Sequence, residues 1–115
     1  MNANFRHAIM SALDREFVVQ SAVDQESYKS LIQHSITPAG SCYTDKGVDF
    51  ADMPAFDGID ANFYNLDKAN EYKAKAMEEL SAKGVTFPVT MLISYQSGDK
   101  NYENECVIVK QQLEK

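Results

Sequence analysis

At 115 residues, 44% of them hydrophobic and 24% charged, the chain has the composition of one folded domain with a modest core, which excludes a disordered tail. A formal net charge of −6, from 17 acidic and 11 basic residues with no Lys/Arg cluster, disfavours nucleic acid as a partner. No apolar run approaches the roughly 20 residues that span a bilayer, no basic-then-apolar leader opens the chain, and no internal repeat or low-complexity tract divides it.

The first predicted element runs from Asn4 to Glu16. Asn4 is a good N-cap, and Phe5, Ala8, Ile9, Ala12 and Leu13 recur at helical spacing on one face, with Arg6, His7 and Ser11 on others. Asp14 is able to cap as well, and Phe17, Val18, Ala22 and Val23 carry a second short pattern, so the helix bends at Asp14 or passes into another. Gln25 to Ser35 suits one further helix, with Tyr28, Leu31 and Ile32 as its apolar face, before Thr37-Pro38-Ala39-Gly40 breaks the pattern. From there to Phe63 the order is irregular. Gly47, Pro54, Gly58 and many Asp residues favour turns, yet Tyr43, Val48, Phe50, Met53, Phe56, Ile59 and Phe63 are too apolar for a free linker. The expectation is a long ordered loop packed on the domain or on a neighbouring lobe.

Asn65 caps the best-defined helix, with Leu66, Ala69, Tyr72, Ala76 and Leu80 inward, Asp67 at the positive end of the dipole and Gly84 as a left-handed stop. Val85, Phe87, Val89, Met91, Ile93 and Tyr95 then alternate with Thr86, Pro88, Thr90, Leu92 and Ser94, the period of a strand with one buried face. Pro88 lacks a backbone donor and argues for an edge position or a bulge. Ser97-Gly98-Asp99 turns the chain into a last helix with Tyr102, Cys106, Val109 and Leu113 as its apolar stripe. Glu103 and Glu105 near its start, with Lys110 and Lys115 near its end, favour the dipole. The fold class expected is α/β or α+β, several helices with a small sheet. A strand, turn and helix normally lead to a further parallel strand, so the chain reads as part of something larger, and its exposed sheet edge favours self-association or exchange between copies.

The residues give an enzyme little to work with. Cys42 and Cys106 show no CxxC spacing, and His7 and His34 lie on segments of different character, so no metal and no cofactor is expected. Cys106 reads as a buried small hydrophobe, and both cysteines are expected to be free. A Cys42–His34 nucleophile pair is a formal rival that lacks an orienting group or oxyanion motif. Asp14 and Glu16 are explained by capping and solvated charge, Arg6 by an intramolecular ion pair or a surface position, and Asp45, Asp49, Asp52, Asp57 and Asp60 lack the spacing of a calcium loop. One ligand-contact region follows from α/β geometry: Tyr95 to Asn101, beyond the carboxyl end of the expected strand, where the next helix begins.

Several stretches resemble one family in the same order. Asn4-Phe5-Arg6-His7-Ala8-Ile9-Met10-Ser11-Ala12-Leu13-Asp14-Arg15 is similar to the N-F-R-x-A-[IL]-x-x-A-[IL]-D-R helix of the oligopeptide-binding proteins of ABC importers, the extracytoplasmic solute-binding proteins of family 5. Tyr43 to Phe50 resembles the family's loop after a proline, and Tyr64-Asn65-Leu66-Asp67-Lys68-Ala69 its Y-N-P-E-K-A helix start, with Leu66 in place of the usual proline. Gly84 to Tyr95 is similar to its G-V-x-F-P-[VI]-x-[LM] strand, and Asn101 to Leu113 to the helix that follows. The likeness covers nearly the whole chain, with Val23 to Ile36 the poorest match.

That resemblance implies residues 1–115 as a single domain fragment of the larger lobe of a two-lobed, periplasmic-binding-protein-like class II fold. It implies capture of oligopeptides and delivery to an ABC permease without chemistry, by a bacterial protein outside the cytoplasm, at the cell surface, that meets the membrane only through a lipid anchor. In the family the polar strand-to-helix loop reaches the interlobe cleft, and the aligned positions are Gln96 and Asn101, whose amides can donate to and accept from a peptide backbone. Equally open is the plainer reading, in which Gln96 and Asn101 make a turn and cap a helix. Two alternatives stand beside transport: an interaction module of a bacterial surface protein using the Tyr43 to Phe63 loop, and a small thiol hydrolase built on Cys42.

Overall fold

The computed structural model describes residues 2–23 and 27–114. Five α-helices appear among them: α1 Ala3–Ala12, α2 Arg15–Ala22, α3 Tyr28–Leu31, α4 Leu66–Ser81 and α5 Lys100–Leu113, with two single-turn 3-10 helices at Phe50–Asp52 and Pro54–Phe56. Gln25, expected to begin a helix, and Lys115, expected to favour a helix dipole, lie outside the described residues.

The first helix begins two residues earlier than its sequence suggests. Asn2, extended at φ −66° and ψ 134°, is the N-cap and accepts from the Phe5 amide at 2.9 Å. Asn4, the expected cap, therefore lies inside the helix, where its side-chain amide donates to Glu79 of α4 at 2.9 Å, alongside a second donation from Asn2. Both bonds favour the ionised carboxylate, with Asn2 the larger influence, and hold Glu79 below the usual glutamate range. A carboxyl lowered in the folded state stabilises that state above the free-glutamate value, and the contribution is lost as pH falls through the lowered one. Asn4→Ala, which spares the cap, should return Glu79 part of the way upward and flatten the acid limb of α1 docking, as read by carboxyl NMR titration.

Helix α1 lies along α4, and this contact holds the deepest packing. Ala69 and Ala76 are the buried apolar residues of the described chain and Ser11 of α1 is buried as well, small side chains that let the helix backbones approach closely. Asn65 joins the two by its backbone, donating to the Ser11 carbonyl at 2.9 Å while its side chain caps α4 on the Lys68 amide at 2.9 Å. His7 meets the edge of Tyr72, ring centroids 5.1 Å apart. The stripe of Phe5, Ala8, Ile9 and Ala12 is only half-buried, and Leu66, expected inward, is 47% exposed. Helix α4 stops as its residues predict: Gly84 takes φ +79°, and the Ser81 and Leu80 carbonyls accept from Gly84 and Val85.

Asp14 divides α1 from α2 and caps the second helix through the Phe17 amide at 3.2 Å. Helix α2 packs on α5 and on the short α3, the only helix that the expected Gln25 to Ser35 element yields among the described residues. The segment to Phe63 is the ordered loop expected. An isolated antiparallel bridge joins Tyr43 to Asp49 around a turn at Gly47, and His34, Phe50 and Phe56 form a ring cluster with centroids 5.0 and 5.5 Å apart.

The expected small sheet does not form. Residues 85–96 hold neither helix nor ladder, and no strand is present among the described residues. Alternation says which face a strand would bury, but a ladder needs a second strand, and none lies beside this one. Val85, Val89, Met91, Ile93 and Tyr95 consequently stay exposed, with Phe87 alone half-buried. The radius of gyration is 16.9 Å, against about 13 Å for a compact domain of this length.

Candidate functional site

Residues 95–101 are placed by the turn at Gly98, φ +92°, and by the start of α5. Asp99, not Asn101, is the N-cap: its carboxylate accepts from the Asn101 amide at 2.9 Å. A cap must sit outside the helix with extended backbone, and Asp99 has φ −106° and ψ 111°, whereas Asn101 is already helical. Of the plainer reading, the turn is present and the cap belongs to a neighbour. The side chains of Gln96 and Asn101 are both exposed, free to meet a backbone amide of another chain. Neither borders the cavities described next.

An apolar concavity of about 480 Å³ lies between α1, α4, the 85–91 segment and the end of α5, with Phe5, Ile9, Met77, Phe87, Met91 and Leu113 among its walls. Asn70, Lys73 and Gln112 are the polar residues on its border. It can accept apolar side chains, and it presents no pair of groups for proton transfer. A second cavity of about 450 Å³, between α1, the start of α4 and the Gly58–Asp60 turn, mixes His7, Asp60 and Lys68 with Tyr64 and Tyr72.

One arrangement has no short-range signal in the sequence. Asn62 donates to the Asp14 carboxylate at 3.1 Å and accepts from the Arg15 amide at 2.7 Å, while the Arg15 guanidinium lies 4.9 Å from the Phe63 ring centroid and donates to the Ala61 carbonyl at 3.3 Å. Phe63 takes φ +59°, a left-handed conformation costly for an aromatic residue. Gln112 of α5 reaches the same junction, accepting from the Asp14 amide at 2.8 Å. Asp14 thus joins α2, α5 and the end of the loop.

Three other singled-out residues, His34, Asp49 and Asp60, have structural employment. His34 Nε2 contacts the Ala51 carbonyl at 3.0 Å, and Cys42 and Cys106 are both free. Asp49 accepts from the Gly40 and Ala51 amides and Asp60 from the Asn62 amide, so these carboxylates serve turns. Among the described residues no group of three His, Cys, Asp or Glu side chains converges as a metal site, and no helix is long and apolar enough to cross a membrane.

Apolar grooves, exposed amides and acidic turns are what the described residues present. Residues 1–115 match the family model "Bacterial extracellular solute-binding proteins, family 5 Middle", and the chain belongs to that family. Its membership implies a periplasmic-binding-protein-like fold and an extracytoplasmic place. The chain is similar to oligopeptide-binding protein AliB of Streptococcus pneumoniae serotype 4 (strain ATCC BAA-334 / TIGR4), 30% identical over 129 aligned residues that cover 99% of this chain and 20% of the relative. The same figures hold for AliB of Streptococcus pneumoniae strain ATCC BAA-255 / R6. The chain therefore spans about a fifth of the length of the curated relatives it matches. No solved structure matches it.

Proposed function

We propose that this chain is part of the larger lobe of a solute-binding protein that captures oligopeptides and hands them, chemically unchanged, to an ABC permease. The observation that carries the reading is the family match over residues 1–115, joined to similarity with proteins named for oligopeptide binding. The half-buried helix stripe and the unpaired residues 85–96 support a role as scaffold, since so much apolar surface in so short a chain packs best on further polypeptide. Gln96 and Asn101 are proposed as contacts to the peptide main chain, a mode that tolerates varied side chains because every peptide carries the same amides. The protein would work outside the cytoplasm, held to the membrane by a lipid anchor.

Isothermal titration of the full-length protein carrying this segment, against a pool of short peptides, tests the proposal. Saturable binding is expected for the full-length protein and none for residues 1–115 alone. Gln96→Ala and Asn101→Ala should each weaken binding roughly three- to tenfold, about 1 kcal/mol for one lost hydrogen bond. Absence of binding by the full-length protein would overturn the peptide reading, and unchanged affinity in both variants would overturn the assignment of the two amides.

A further inference from the structure

We draw no further inference here: the strongest candidate, the apolar groove between α1, α4 and the 85–91 segment, walled by Phe5, Ile9, Phe87 and Met91, is an unpartnered face, and nothing in the structure shows which segment, ligand or second copy covers it.

Discussion

Ala76→Asp should cost about 3 kcal/mol or more of folding stability, whereas Ala74→Asp, two positions away on the same helix, should cost well under 1 kcal/mol. Ala76 is 2% exposed in the α1–α4 contact, so a carboxylate placed there is taken out of water. Ala74 faces solvent, so its replacement pays only helix propensity. A domain of this size has roughly 5–15 kcal/mol in total, so the first variant should lose a large share of its helix content at moderate urea. Urea unfolding followed by far-UV circular dichroism separates the two. Coincident transitions for both variants would show that α1 does not seat on Ala69 and Ala76.

Asp14→Ala is the second large effect, expected at about 1–2 kcal/mol, because one carboxylate both caps α2 and holds Asn62. Asp14→Asn keeps an acceptor in place and should recover most of that loss. Asn62→Ala leaves the Arg15 amide without its acceptor, and because the two residues touch, the double variant should lose less than the two single losses added together. Strict additivity would mean that Asp14 works as a cap alone and that the end of the loop is held by other contacts. The exposed Lys75–Glu71 pair, 2.6 Å apart across one helical turn, is the natural contrast: solvent screens it, and Glu71→Gln should leave the unfolding midpoint unchanged.

These two sites mark how far local pattern reaches in this chain. Helices α2 and α4 were legible because a cap and a stop act within a few residues: Asp14 on Phe17, Asn65 on Lys68, Gly84 at a left-handed turn. At two helix starts the cap expected from the sequence is not the one observed. Asn2 displaced Asn4 and Asp99 displaced Asn101, since Asn and Asp cap almost equally well and backbone conformation decides. The strand was legible as a pattern at Val85 to Tyr95 and absent as a ladder, because pairing depends on a partner that no local window contains. The contact of Asn62 with Asp14, 48 positions apart, left no periodic trace at all. For the candidate site, the location of the strand-to-helix loop could be read from the turn residues Ser97-Gly98-Asp99, while the two cavities arise from how α1 and α4 cross and could not.

The unpaired stretch at 85–96 also makes the chain mechanically divisible. Leu92 is 92% exposed, and the backbone around it has no ladder to withdraw it from an attacking protease, so the first cleavage by a low-specificity enzyme should fall there. Such a cut would leave α5 with no covalent link to the remaining helices, joined through its packing on α2 and the two hydrogen bonds between Gln112 and Asp14. The two pieces should co-elute in native buffer and part only in denaturant, a nicked assembly in which side chains do what the peptide bond did before.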